Sequence, residues 1–267
     1  ISRDCGEGKY DIAYDDGDRE TDVEARLIRK LSLSPLYIAC KNGHVDVVRL
    51  LLDKGAEVDR ADKDGATPLW IACCKGHVDV VRLLLDKGAV VHTQNHSPSS
   101  SPPQLVGGVT DFVRKLIIGH SNNTSGAEVD RADWADKTPL WGACFEGHVD
   151  VARLLLDKGA EVDRANKRGQ TPLYIACGKG HVDVARLLLD NGAEVDREER
   201  GMPPFFVERT PLFIACVKGH VDAARLLLNN GAEVDRANKD GWTPLWIACH
   251  GGHVAVVRLL LDHGADV

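Results

Sequence analysis

Cysteine and histidine recur together along this chain, always with three residues between them. The pairs are Cys40/His44, Cys73/His77, Cys144/His148, Cys177/His181, Cys216/His220 and Cys249/His253. Thiolate and imidazole groups are zinc ligands, and a zinc ion requires about four of them at one point. A thiol beside an imidazole can also act as a nucleophile, but that chemistry needs an orienting group and an oxyanion site as well.

The surrounding sequence repeats with the same period as these pairs. Thr-Pro-Leu has its threonine at Thr67, Thr138, Thr171, Thr210 and Thr243, and Ser34 takes this place at the front. A period of about 20–50 residues indicates a stack of similar units. Successive Cys/His pairs would therefore be spread along a ladder and would not converge on one ion. We expect no metal ion, no catalytic residue and no cofactor.

Charge and composition limit the class of partner. The formal net charge is −7 at pH 7, and acidic and basic residues alternate along the repeats. Binding to nucleic acid needs a basic face, which is not predicted here.

We find no apolar run of the roughly 20 residues that cross a membrane. Six of the eight cysteines occupy one repeat position, which favours reduced thiols in an intracellular protein, cytoplasmic or nuclear. The chain does not begin with methionine, so we expect a piece of a longer protein.

Each unit predicts two short helices. In the unit at 62–91, Thr67 is an N-cap residue and Pro68 takes the first helical position. Gly76 ends the first helix, and the apolar spacing predicts a second helix over 78–86. Isolated helices shorter than about 12–15 residues are marginal in water, so each must be held by its neighbours. The predicted fold class is all-α, a helical solenoid.

The repeated string resembles a known family. Asp-x-x-Gly-x-Thr-Pro-Leu, followed by Ala, Gly-His, Leu-Leu and Gly-Ala-x-Val, resembles the ankyrin repeat over residues 32–267. The resemblance implies an ankyrin-type solenoid of about seven units. Histidine is usual in that family after Thr-Pro-Leu, and its replacement here predicts aromatic packing between units. The replacing residues are Tyr37, Trp70, Trp141, Tyr174, Phe213 and Trp246.

Two insertions interrupt the period. The interval from Thr67 to Thr138 is 71 residues, which is two periods of 33 plus five. We therefore predict a degenerate third unit over 92–125, carrying a flexible insertion rich in serine and proline. A shorter insertion over 198–209 predicts a longer loop before the sixth unit. A tolerated insertion is the favoured interpretation of it, and a partner-contacting loop with Phe205 and Phe206 is the alternative.

Residues 1–31 do not fit the repeat. Tyr10, Ile12 and Tyr14 alternate with polar or small residues before an Asp-Asp-Gly turn, which predicts a short β-hairpin. The segment resembles the later half of a tudor-like barrel. That resemblance implies that Tyr14 and Asp16 correspond to a cage aromatic and its acidic partner, which bind methylated lysine or arginine. The earlier strands are absent, so we expect no strong binding by this piece alone. An acidic hairpin or a poorly ordered tail is the alternative.

Positions that vary between units are the candidates for binding a partner. Those before Thr-Pro-Leu are Lys63, Asp64, Ala66, Trp134, Lys137, Lys167, Arg168, Gln170, Lys239, Asp240 and Trp242. Those before Gly-His are Lys41, Asn42, Cys74, Lys75, Phe145, Glu146, Lys179, Lys218 and His250. The ankyrin resemblance implies that these positions form hairpin tips and the first-helix rim on the concave face.

Two features of this set predict the partner. Aromatic residues dominate interface energies, which singles out Trp134, Phe145 and Trp242. For Trp242, packing on its own hairpin is the alternative. The recurring lysines would line the groove with positive charge, which favours an acidic segment of a protein partner.

The predicted function is a non-catalytic scaffold that binds a partner protein on its concave surface. One alternative is a chromatin-associated reader in which a complete tudor-like module binds methylated lysine or arginine. Another is a regulatory arm of an enzyme encoded outside this chain.

Overall fold

A computed structural model describes residues 3–4, 9–13, 19–24, 33–87, 128–200 and 208–267. In these residues twelve α-helices form six pairs, one pair for each well-formed repeat. They are α1 (Pro35–Lys41), α2 (Val45–Asp53), α3 (Pro68–Lys75), α4 (Val78–Lys87), α5 (Pro139–Glu146), α6 (Val149–Asp157), α7 (Pro172–Lys179), α8 (Val182–Asp190), α9 (Pro211–Lys218), α10 (Val221–Asn229), α11 (Pro244–His250) and α12 (Val254–Asp262).

Local capping explains where the first helix of each pair begins and ends. Before α5, the Thr138 hydroxyl accepts the backbone N–H of Trp141 at 3.1 Å, and Pro139 takes the first helical position. Gly147 ends the helix with φ of 84°, a left-handed conformation that glycine adopts without strain. The predicted caps are confirmed. The predicted second helix at 78–86 is confirmed as α4, which extends to Lys87.

The apolar faces of successive pairs form one continuous core. In the fifth unit Leu173, Ala176, Cys177 and Leu188 are fully buried, and the equivalent residues of the neighbouring units are buried with them. Burying a leucine stabilises a fold by roughly 1.5–3 kcal/mol, so stacking accounts for most of the stability of these short helices. The predicted all-α helical solenoid is confirmed for the described helices.

One junction differs from the sequence-based expectation. The second unit packs directly on the fourth, with α3 against α5. His148 Nε2 lies 3.2 Å from the carbonyl oxygen of Cys74, which is 74 residues away. The same contact between His181 and Phe145 spans 36 residues. The difference is 38 residues, and among the described residues the second and fourth units are adjacent layers. The third unit predicted at 92–125 lies outside the described residues.

Five short strands accompany the helices in the described residues. Strands β1 (Arg3–Asp4), β2 (Lys9–Ala13) and β3 (Arg19–Glu24) form an antiparallel sheet in the order β1-β2-β3. The predicted hairpin is therefore extended by one strand. Tyr14 and Asp16 lie outside the described residues, and the tudor-like assignment stays a prediction.

The insertion at 198–209 has a paired base. Strands β4 (Glu199–Arg200) and β5 (Glu208–Arg209) are antiparallel, with Glu199 opposite Arg209. The described ends of the insertion form a two-stranded ladder, and the longer loop predicted between them stays a prediction. Phe205 and Phe206 lie outside the described residues.

A ladder of aspartates links the layers. Asp163 accepts the backbone N–H of Glu194 at 3.0 Å, and Asp130 and Asp196 make the same bond to the next layer. Burial raises the pKa of Asp163, and the bond from Glu194 and the nearby Arg197 only partly oppose this shift. The folded state therefore holds its proton to a higher pH than the unfolded state. Stability from this group is lost as pH rises through the folded-state pKa.

We expect Asp163→Asn to raise the free energy of unfolding at pH 7, because the amide oxygen still accepts the bond while the buried charge is removed. The advantage should shrink as pH falls through the folded-state pKa and disappear below about 3, where the aspartate is protonated in both states. Urea unfolding at pH 7 and pH 4.5 measures the difference. Asp190→Asn, at an exposed carboxylate of the next unit, controls for the loss of one charge. An advantage that grew on acidification would contradict this assignment.

Candidate protein-binding surface

The histidines of the Cys/His pairs join neighbouring layers. The Nε2 atoms of His77, His148, His181 and His253 lie 3.1–3.2 Å from backbone carbonyl oxygens of the preceding layer. A carbonyl oxygen only accepts, so each ring nitrogen donates. These imidazoles are therefore engaged in structural bonds along the stack. In the described residues no group of three or more His, Cys, Asp or Glu side chains could hold a metal ion.

Five of the six cysteines in the Cys/His pairs lie in the core. Cys40, Cys73, Cys144, Cys177 and Cys216 are buried, and Cys249 is exposed. Burial raises the pKa of Cys40 and of Cys216 to about 12. The thiolate is the reactive form of cysteine, so these buried thiols are poor nucleophiles near neutral pH.

In the fourth, sixth and seventh units, a column of side chains at positions i, i+4 and i+8 begins just before the first helix and continues along one face of that helix. In the fourth unit the column is Lys137, Trp141 and Phe145. The Lys137 Nζ atom lies 5.0 Å from the Trp141 ring centroid, and the Trp141 and Phe145 rings stack at 5.2 Å. Lys179 of the fifth unit covers Phe145, with Nζ 3.9 Å from its centroid. Phe145 is therefore half-buried under a lysine of the next layer rather than an open contact surface.

The middle position of the column explains the aromatic replacements. Trp141, Tyr174 and Phe213 are buried between layers, as the predicted packing requires. Tyr174 also contacts the base of the inserted hairpin through a hydrogen bond to Glu199, and burial together with this bond raises the pKa of its hydroxyl group. Gln170 Nε2 donates to Glu199 Oε1 at 2.9 Å. Sequence comparison of the units missed Glu199, since it lies inside an insertion that no other unit has.

The hairpin tips carry the most exposed aromatic residue of the folded units. Trp134 is 68% exposed, and its backbone N–H donates to the carbonyl oxygen of Asp64 at 3.1 Å. Lys167 and Arg168, at the next tip, are exposed. The Lys167 backbone N–H donates to Ala135, and its ammonium group donates to the Trp134 carbonyl oxygen. The structure thus brings one indole and two cations together at adjacent tips.

The same tip has a strained backbone. Asp136 has φ of 57°, where the other units have Gly65, Gly169 and Gly241 with φ of 79–81°. A non-glycine residue in this region is uncommon and costs about 1 kcal/mol or more. Alignment of the units could have identified Asp136, because it replaces a glycine present at three equivalent positions.

The seventh unit has an exposed aromatic column. Trp242 and Trp246 stack with ring centroids 4.6 Å apart, and Trp246 stacks on His250 at 5.3 Å. Trp242 is 41% exposed and Trp246 is 43% exposed. Trp242 therefore packs on its own unit and still presents surface, and its role in binding a partner stays a prediction.

The remaining candidates divide by exposure. Ala66 is buried, because it precedes the N-cap residue and faces the core, so it is not available to a partner. Half-buried candidates are Cys74, Lys137 and Gln170. Exposed candidates are Lys41, Asn42, Lys63, Asp64, Lys75, Glu146, Lys167, Arg168, Lys179, Lys218, Lys239, Asp240 and His250. The lysines at 41, 75, 179 and 218 occupy the last turn of their first helices, and Glu146 takes this place in the fourth unit.

A stack of capped helix pairs with variable, exposed tips defines a class of solenoid that presents an extended surface. The family model "Ankyrin repeats (3 copies)" matches residues 18–95, 106–199 and 202–267. The chain therefore belongs to the ankyrin repeat family. In the described residues no helix has the length and apolar character needed to cross a membrane.

Solved structures with the same fold support this assignment. The human ASB11 ankyrin repeat domain is 26% identical, covers 87% of this chain and 85% of its own, and has a TM-score of 0.63. The ankyrin repeat domain of Bcl-3, a member of the IkappaB protein family, is 25% identical over 88% of each chain, with a TM-score of 0.65. Cortactin-binding protein 2 of Rattus norvegicus is 64% identical over 36 residues, which are 14% of this chain and 2% of that protein. The match thus spans a small part of that curated relative.

Proposed function

We propose that this chain is a non-catalytic scaffold that binds a partner protein on the hairpin tips and first helices. Ankyrin repeat domains are generally protein–protein interaction modules. The observation that carries the proposal is Trp134, which is 68% exposed beside Lys167 and Arg168. Together these three residues suit an acidic partner segment with an apolar side chain that packs on the indole.

Two physical arguments favour Trp134 as the anchor. An exposed indole contributes nothing to the core, while tryptophan and arginine are enriched among residues that dominate binding energy. The Asp136 backbone at the same tip is strained, and strain of this kind accumulates at functional sites. The fourth unit departs from the other units at this tip, in both side chain and backbone.

The lysine row supports an acidic partner. Lys75, Lys179 and Lys218 are exposed at equivalent places along the first helices, and Lys41 is exposed one position earlier in the first unit. Charges repeated along one face steer an acidic segment and set its register more than they add affinity. Lys179 also contacts Phe145, so its position in the row is held by the neighbouring layer.

The test begins with a partner captured by the full chain, whose binding segment is mapped by truncation. We expect Trp134→Ala to weaken binding at least about 30-fold, as for an interface hot spot of about 2 kcal/mol. Combined Lys75→Glu, Lys179→Glu and Lys218→Glu should weaken it at least tenfold, mainly by slowing association at low salt. Isothermal calorimetry and stopped-flow association measure both effects.

A matched variant controls for net charge. Arg82, Arg186 and Arg225 are exposed on the second helices of the same three units. Reversing all three to glutamate changes the charge equally but leaves the proposed surface intact, so binding should change less than twofold. Equal loss in the two triple variants, or full binding by Trp134→Ala, would overturn the proposal.

A further inference from the structure

In the interior units, positively charged side chains lie over the aromatic column. In the fourth unit one lysine lies over each end of the stack: Lys137 over Trp141 and Lys179 over Phe145. In the sixth unit the Arg209 guanidinium carbon lies 6.0 Å from the Phe213 ring centroid. Cations are attracted to the negative faces of aromatic rings. The protein thus uses a cationic side chain on this column in two separate units.

The seventh unit has a different composition at the same positions. Trp242 occupies the place of Lys137, Trp246 that of Trp141, and His250 that of Phe145. The column consists of three stacked rings, with interplanar angles of 14° and 16°. Trp242 therefore places an aromatic ring where the fourth unit has a lysine, and Trp242 and Trp246 are each more than two fifths exposed.

The local charge differs from that around Trp134. Asp240 is exposed two residues before Trp242, and its backbone N–H is held by Asn238 Oδ1 at 3.0 Å. Lys239, which precedes Asp240 in this hairpin, already makes an interaction of its own. Trp134 lies beside Lys167 and Arg168, whereas Trp242 lies near a carboxylate. The two exposed tryptophans are therefore suited to partner groups of opposite charge.

We propose that Trp242 and Trp246 bind an arginine or lysine side chain of a partner protein, with Asp240 as its counter-ion. The occupant is thus a basic segment, distinct from the acidic segment proposed for the fourth and fifth units. Tryptophan is the strongest cation–π partner among the aromatic side chains, and a carboxylate beside it adds a charge-assisted hydrogen bond.

The test uses two synthetic tripeptides, acetylated tri-arginine amide and its neutral tri-citrulline counterpart. Citrulline keeps the shape of arginine and removes the charge. Indole N–H cross-peaks of the ¹⁵N-labelled chain report on each of the five tryptophans, and Trp→Leu substitutions assign them. We expect the Trp242 and Trp246 peaks to shift with tri-arginine, with an apparent Kd about two- to fivefold tighter than for tri-citrulline.

Substitutions locate the site. Trp242→Leu should abolish the preference for arginine, and Asp240→Asn should reduce it. Trp134→Leu should leave it unchanged, which separates this site from the proposed acidic-partner surface. Equal responses to both peptides, or a preference that survives Trp242→Leu, would overturn the inference. So would peaks of Trp242 and Trp246 that shift with protein concentration alone, because a second copy of the chain would then cover the column.

Discussion

Deleting residues 88–125 should leave a folded array whose free energy of unfolding is unchanged or higher by up to about 2.5 kcal/mol. The deletion joins Lys87 to Gly126 and restores Lys-Gly-Ala-Glu-Val-Asp, the string found at 54–59 and 158–163. Helices α3 and α5, which are in direct contact, are then connected as at the junction of the fourth and fifth units. The connection shortens from about 40 residues to two, roughly four halvings, each of which lowers the entropic cost of loop closure by about 0.6 kcal/mol.

Urea unfolding followed by circular dichroism measures this result. A matched control deletes residues 88–127 and so removes two residues more, including Gly126. The equivalent Gly55 and Gly159 end their helices with φ of 84° and 86°, so the control loses this turn and should be less stable by about 2–3 kcal/mol. If both deletions destabilised the array equally, residues 88–125 would contribute to the stack and the assignment of this junction would be wrong.

Gly147→Ala should lower the free energy of unfolding by about 3–4 kcal/mol, whereas Gly159→Ala should lower it by only about 1–2 kcal/mol. Both glycines have left-handed φ, of 84° and 86°, so the backbone strain of the two alanines is the same. A Cβ atom on Gly147 would lie 2.7 Å from Cε1 of His181, whereas nothing lies within 4 Å of one on Gly159. The His181 ring must move, and its bond to the Phe145 carbonyl oxygen is lost.

A double-mutant cycle tests the cause. In a His181→Ala background the two glycine substitutions should have the same cost, because the ring that collides with the new methyl group is gone. Chemical unfolding of the four combinations gives the coupling energy, which we expect to be about 2 kcal/mol. A coupling energy near zero would mean that backbone strain alone explains the effect, and that the histidine does not lock the layers together.

The units and their helices could be predicted from the sequence because their determinants are local. An N-cap threonine, a proline at the first helical position and a glycine at the end all act within about ten residues. Aligning the units also identified the tips, including Trp134 and its neighbours. Alignment of the units could also have predicted the left-handed conformation of Asp136, because this residue occupies a position where three other units have glycine.

Only the tertiary structure decided which of these side chains are exposed and can contact a partner. Ala66 is buried and Phe145 is covered by Lys179, because residues of the core and of the next layer pack on them. The interval of 71 residues between Thr67 and Thr138 can be read as two periods of 33 residues plus five, which would include an additional unit. It can also be read as one period plus an insertion of 38 residues. Arithmetic on the sequence cannot separate these divisions, and only the contact of His148 with Cys74 shows that the second and fourth units are adjacent layers. Short-range chain geometry makes each helix pair, but burial and layer order depend on residues that meet only after the stack has formed.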